Sequence, residues 1–337
     1  MHRRTPSPFS AALALFVLLL FVTPGLLGAQ ATPSLAPDAQ LSTRLEYTDW
    51  IEVGLAGNLR DWTFTDHTGA TVTGAQVNYN GQPAGYTASP VEAVNYCSVH
   101  DNQTLFDAVQ LKSAATDDIH ARARRQVLAM SLVALGQGVP FFLAGDDLLR
   151  SKDMDGNSFD SGDWFNKLDF SYQSSNWGTG LPIASQNQGN WPLMQPLLAN
   201  PALTPQPSDI AHSRDAYREL LQIRGSSDLF HMQNQAEVQA NLHFLNVGPS
   251  QTPGLIVMKL DANSGDFGRY QHIVVVFNAT NAQVTFQNPA LVGLNLQLHP
   301  VQQHSADPIV GQSSFNSQSG SAIVPALTTA VFVTSKP

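Results

Sequence analysis

The chain has 337 residues, a formal net charge of -9 and 43% hydrophobic content, enough for two domains, or one large domain with an appendage, around a sizeable core. Only 13% of its residues are charged, against roughly 25% in average domains, and Asn, Gln, Ser and Thr supply the missing polarity. A dilute acidic surface argues against nucleic acid, whose phosphates need clustered Lys and Arg. Uncharged amides and hydroxyls suit a sugar, and suit plain solubility equally well.

In chain order, His2, Arg3 and Arg4 form a basic start. An apolar run from Ala11 to Val22 follows, broken by Pro24 and Gly25, and Ala29-Gln30-Ala31 is a small-x-small site. This is the pattern of a secretory signal cleaved after Ala31. The run is shorter than the about 20 apolar residues of a membrane-spanning helix, so the expectation is a secreted protein with no stable membrane span after cleavage. Residues 32–44, rich in Ala, Pro, Ser and Gln, read as a linker. LEYTDWIEVGLAG, from Leu45 to Gly57, has mixed helical periodicity, and the glycines and prolines from Asn58 to Pro90 predict loop with short strands.

A clear alternation follows. Ala93–Val99 reads as a strand that ends at His100, and its lone Cys97 reads as a packed small hydrophobe. Asp117 or Asp118 caps a helix to about Leu135, with Arg122, Arg124 and Arg125 on its polar side and Gly136 and Gly138 closing it. Val139–Gly145 (VPFFLAG) is a continuously apolar strand, expected to be buried on both faces. A long glycine- and aromatic-rich loop leads to a second helix capped by Ser213 and closed by Gly225. Strand, helix, strand, helix is the unit of a parallel α/β barrel or open sheet, though far fewer units are visible than a closed barrel needs. From residue 230, short β-type runs separated by Gly, Pro, Asn and Ser signal an antiparallel sandwich that could fold alone.

The most informative residues are His100, Asp101 and Asn102. They place an imidazole, a carboxylate and an amide at the carboxyl end of a strand, where α/β proteins build their sites. Asp and Asn after a strand also form ordinary turns, so the tripeptide alone leaves both readings open.

The segments VGLAGNLRDW, VNYNGQPAGYTASP, VNYCSVHDNQTLFDA, LGQGVPFFLAGDDLLRSK, NSFDSGDWFN, LHPVQQHSADPIV and VPALTTAVFV resemble, in order and spacing, the C-terminal part of bacterial type I pullulanases and limit dextrinases. These are α-1,6-glucan debranching enzymes of the α-amylase superfamily. The resemblance implies the last strands and helices of an incomplete (β/α)8 barrel over residues 45–229, then a β-sandwich C-terminal domain over 230–337. It assigns Asp101 the stabilisation of the transition state. An ionised carboxylate near the ring favours an oxocarbenium-like state. His100 and Asn102, with Asn157, Asp163 and Trp164 in the loop after the last barrel strand, become substrate-binding candidates. Trp177 and Trp191 are further sugar platforms, with burial under the loop as the alternative. Aspartate stands at Asp147, where the family commonly has glutamate. The implied partner is an α-glucan such as pullulan, starch, glycogen or a limit dextrin. Several related enzymes bind calcium, but the Asp and Asn spacing here has no EF-hand pattern, and no metal or cofactor is expected.

A retaining glycosidase also needs a nucleophile and a general acid about 5–5.5 Å apart. The family's Gly-x-Arg-x-Asp and Gly-Glu-like segments that carry them, and its Asn-His segment, are absent from this sequence. The reading is therefore a pullulanase-like portion that is catalytically incomplete by itself. The alternatives are a secreted non-catalytic α-glucan-binding module, or one half of a split enzyme completed by another chain carrying the missing strands.

Overall fold

The computed structural model describes residues 37–336; the signal-type segment and its cleavage point lie outside them. The first helix, α1 (Pro37–Leu55), opens on a proline suited to a first helical position. It takes in residues 37–44, which composition alone had suggested as linker, and its inner face buries Trp50, Ile51, Val53 and Leu55. Two hairpins follow: β1 (Thr63–Thr65) with β2 (Thr71–Thr73), and β3 (Asn78–Tyr79) with β4 (Gln82–Pro83). The second turns at Asn80-Gly81, both at positive φ (49° and 86°), as tight Asn-Gly hairpin turns require.

β5 (Val94–Asn95) and β6 (Val139–Pro140) pair in parallel. They are connected through α2 (Leu105–Lys112) and α3 (Ile119–Leu135), so the strand–helix–strand order expected from the sequence is present. The strands are much shorter than the expected Ala93–Val99 and Val139–Gly145. Each pairs with the other alone in a two-stranded sheet, and a ladder without outer partners does not hold a long strand extended. The expected burial of the second strand on both faces is also absent: Val139 and Phe141 are each 46% exposed, and Val94 on the first strand is 50% exposed.

Asp118 caps α3, accepting from the Ala121 amide at 2.8 Å. The arginines of α3 do not form a solvated face. Arg122 and Arg125 are buried; Arg122 donates to the Asp117 and Gln110 carbonyls, both at 2.9 Å, and Arg125 pairs with Asp117 at 2.9 Å. Arg124 reaches Asp307 at 2.7 Å. The reason is that α3 has neighbours on several sides, among them α2 and the C-terminal strand and helix described next.

The loop region includes α4 (Trp191–Leu198), and α5 (Pro207–Arg224) follows it. The second helix thus starts before Ser213, with Pro207 at its first position and the Asp209 carboxylate accepting from the Gln206 amide at 2.8 Å; Ser213 lies buried inside it. Arg224 donates to the carbonyls of Ala134, Gly136 and Gly138 at 2.7–2.8 Å. It thereby satisfies acceptors that the end of α3 leaves open.

After α6 (Gln235–Asn241), the chain forms β7 (Leu242–Phe244), β8 (Leu255–Asp261), β9 (Tyr270–Asn278), β10 (Val284–Gln287), β11 (Gln297–Leu298), β12 (Ser314–Asn316), β13 (Ser321–Val324) and β14 (Thr328–Ser335). They make an antiparallel five-stranded sheet, β11-β14-β9-β8-β7, and a three-stranded sheet, β10-β13-β12. Leu255, Val257, Val274, Val276 and Phe332 from the larger sheet share a core with Ala322 and Val324 from the smaller. The alternate residues Ile256, Phe277 and Val331 face the other way, into one core with Trp50, Leu132 and Leu220. Burial on both faces explains why β8 and β9 read as unbroken apolar runs. Among the described residues, no helix is long and apolar enough to cross a membrane.

Candidate functional site

β5 delivers the chain to the turn His100-Asp101-Asn102. Asn102 takes the left-handed conformation (φ 62°), which Asn tolerates better than most residues. Thr104 then caps α2, its hydroxyl accepting from the Asp107 amide at 3.1 Å. The His100 and Asp101 side chains are 86% and 74% exposed, with His100 Nε2 3.6 Å from an Asp101 oxygen. That is contact range for an ion pair but too long for a hydrogen bond.

The support for this turn comes from the loop after β6. Lys152 donates through Nζ to the His100 carbonyl at 3.2 Å. Its ammonium is held below the usual lysine range, chiefly by burial, against the opposing fields of Asp107, Asp155 and Asp101. Asp107, fully buried, accepts from Ser151 Oγ at 2.5 Å and from the Lys152 amide at 2.7 Å, and burial pushes its carboxyl up to about 6. Asp146 accepts from Ser98 Oγ at 2.7 Å and the Leu143 amide at 3.0 Å, and burial lifts it to about 7. Cys97 beside it is buried, its thiol raised well above the ordinary range by desolvation, as befits a packed residue.

Two carboxylates that the sequence did not single out organise the loop. Asp153 accepts from the amides of Gly178, Thr179 and Gly180 at 2.7–2.9 Å. Asp155 accepts from the Asn157 amide at 2.9 Å, Ser161 Oγ at 2.5 Å and Asn187 Nδ2 at 3.1 Å. Their sequence signal is slight, two aspartates flanking a methionine that itself adopts a positive φ of 66°. Asn166 closes the neighbouring turn, accepting from Ser158 Oγ at 2.9 Å and donating to the Ser158 and Gly162 carbonyls at 2.8 and 3.0 Å.

The sequence candidates fall into two groups. His100, Asp101 and Asn102 form the exposed turn. Asn157, Asp163 and Trp164 lie on the loop: Asn157 Nδ2 donates to Gln186 Oε1 at 3.2 Å, Asp163 stands exposed in the first turn of a short helix, and Trp164 is 76% exposed. Among the described residues no hydrogen bond or ion pair joins Asp101 to Asn157, Asp163 or Trp164. The groups approach at Gly156, where an added Cβ would meet Gln103 Nε2 at 3.0 Å. Of the other tryptophans, Trp177 is core, 7% exposed and edge-on to Phe106 at 5.6 Å. Trp191 is half-buried, its indole donating to the Pro182 carbonyl at 2.9 Å. Asp153 and Asp155 accept from protein donors, and among the described residues no group of three or more His, Cys, Asp or Glu side chains is placed to hold a metal ion.

Comparison with known proteins bears on the family and the fold. Residues 172–335 match the family of pullulanase-type α-1,6-glucosidases, C-terminal domain. The chain is 44% identical to chloroplastic pullulanase 1 of Arabidopsis thaliana over 317 residues, 92% of this chain and 32% of that protein. It is 36% identical to a pullulanase of Klebsiella pneumoniae over 287 residues, 84% of this chain and 26% of that protein. The fold matches a crystal structure of Klebsiella pneumoniae pullulanase (PulA) in complex with maltotriose with a TM-score of 0.85 at 35% identity, covering 94% of this chain and 34% of that one. The chain spans about a third or less of these relatives' length. It belongs with the pullulanase-type α-1,6-glucosidases and corresponds to the C-terminal part of such a protein.

Proposed function

We propose that this chain is the C-terminal portion of an α-1,6-glucan debranching site. In this reading β5 and β6 are the last two strands of a (β/α)8 barrel, and Asp101 is the carboxylate that stabilises an oxocarbenium-like transition state. The observation that carries it is the exposed His100-Asp101-Asn102 turn, reached by residues 96–99 from the carboxyl end of the parallel strand β5. His100 and Asn102 bond sugar hydroxyls, Trp164 offers an apolar face, and Asn157 and Asp163 add polar contacts. The nucleophile and general acid come from segments that this sequence does not contain. The exported chain alone therefore binds α-glucan without hydrolysing it, and needs no metal. The test is release of reducing sugar from pullulan by the purified chain. Absence of release, together with glucan binding weakened by Asp101→Ala, is expected; hydrolysis abolished by Asp101→Ala would overturn the incompleteness.

A second reading, a site completed by another polypeptide, is favoured by one observation. Val94, Val139 and Phe141 present an apolar face beside a two-stranded parallel sheet, which further parallel strands would cover. Mixing the chain with a polypeptide carrying the nucleophile and acid segments tests it. Activity appearing only in the mixture, and lost with Phe141→Lys, is the expected result; no activity in any mixture counts against it.

A further inference from the structure

We propose that the sandwich carries a second binding site, for a neutral oligosaccharide, in a groove between the edge strand β10 and the loop 245–252. It is independent of the debranching reading and shares no residue with the turn at Asp101. The groove holds about 440 Å³ and no charged side chain lines it, which disfavours phosphates, carboxylates and cations as occupants. Its polar wall is made of hydroxyls and amides: Ser250, Gln251, Thr252, Thr285 and Gln287. The side chains of Ser250, Thr252, Thr285 and Gln287 are exposed and take no part in the hydrogen bonds of the described chain. Their donors and acceptors are free for a ligand whose only polar groups are hydroxyls.

The walls are fixed rather than collapsible. Asn246 donates to the Thr252 and Leu255 carbonyls at 3.0 and 2.6 Å and accepts from the Thr252 amide at 3.0 Å, which locks the loop into a ring. The Gly248 amide donates to the Asp66 carbonyl at 3.1 Å, holding the loop from behind. Asn288 Nδ2 donates to the Leu245 carbonyl at 3.3 Å and joins the two walls at one end.

A second observation points to a ligand. Gln251 is only 7% exposed, lines the groove, and its Oε1 is buried without a hydrogen-bond partner. Native proteins rarely leave such an oxygen unpaired. The terminal torsion of Gln is broad, so rotation of the amide can offer Oε1 to a hydroxyl in the groove. An extended peptide added to the free edge of β10 is the rival occupant. It is disfavoured because strand addition draws specificity from pockets for alternate side chains, and β10 has four residues before Pro289 ends it.

The experiment is calorimetric titration of the full chain with maltoheptaose. Binding is expected to persist in Asp101→Ala and to weaken by about tenfold in the Thr285→Arg/Gln287→Arg double variant. Gln251→Met, which removes the unpaired oxygen, is expected to unfold at higher urea and to bind more weakly, a combination that loss of fold cannot produce. Affinity unchanged in both groove variants overturns the proposal, as does the absence of any maltoheptaose binding. Binding lost in Asp101→Ala but kept in the groove variants overturns the groove and leaves the Asp101 reading standing; the opposite pattern supports the groove alone. An alternating Thr-Val peptide that displaces the sugar from the parent chain but not from the groove variants also overturns it.

Discussion

Lys152 Nζ donates to the carbonyl of His100 at 3.2 Å, fastening the loop after β6 to the turn that bears Asp101. The contact places a buried cation under an exposed carboxylate. Lys152→Met keeps the bulk of the stem and removes the donor, leaving the His100 carbonyl unbonded. The expected cost is about 1–3 kcal/mol in urea unfolding, with faster amide exchange confined to residues 100–104. Unaltered exchange there would mean that the turn holds itself.

The buried acids set a pH dependence. Desolvation raises Asp146 to about 7 and Asp107 to about 6, above an unfolded value of about 3.9. The folded state therefore keeps protons that the unfolded state has lost, and stability declines as pH rises from about 4 to about 7. In Asp146→Asn the amide oxygen still accepts from Leu143 and the amide nitrogen donates to Ser98. That variant is expected to lose less stability than the parent between about pH 5 and about pH 8, measured as the urea midpoint. A slope equal to the parent's would show that Asp146 does not titrate there.

Two tryptophans of similar sequence surroundings should behave in opposite ways. Trp177→Ala removes a core side chain and its edge contact with Phe106, at an expected cost of about 3–5 kcal/mol. Trp164→Ala changes an exposed ring and is expected to alter stability by about 0.5 kcal/mol or less, while weakening retention on a glucan affinity gel. Equal melting temperatures for the two variants would contradict the assignment.

Arg124 on α3 and Asp307 beyond β11 form an ion pair at 2.7 Å with both side chains 13% exposed, and the same guanidinium donates to Thr328 Oγ1 at 2.6 Å. A double-mutant cycle on Arg124→Ala and Asp307→Ala is expected to give a coupling of about 0.5–3 kcal/mol. Additive losses would assign the pair no joint role.

What the sequence disclosed was local. The cap at Asp118, the Gly225 stop, the strand–turn at His100 and the alternation of short β runs each depend on neighbouring residues, so periodicity and turn chemistry reveal them. What it concealed depends on distant partners. Asp153 is defined by amides at 178–180, and no spacing rule joins those positions. The arginines of α3 look like a solvated stripe until Gln110 and Asp117 meet Arg122 and Arg125, and Asp307 and Thr328 meet Arg124. Trp164 and Trp177 both stand in a polar loop, and only the tertiary fold buries one of them. β5 and β6 are shorter than their apolar runs for a related reason: an apolar run specifies a strand only where neighbours complete its ladder.

The central strands of the larger sheet have no outside. One surface of β8, β9 and β14 meets the smaller sheet, while the other meets α3 and α5 through Ile256, Phe277 and Val331 against Leu132 and Leu220. Neither half therefore ends in a finished exterior, and the chain should melt in a single transition. Cleavage near residue 230 would bare apolar faces on both pieces at once, so a sandwich that folds by itself would have to carry Ile256, Phe277 and Val331 in water.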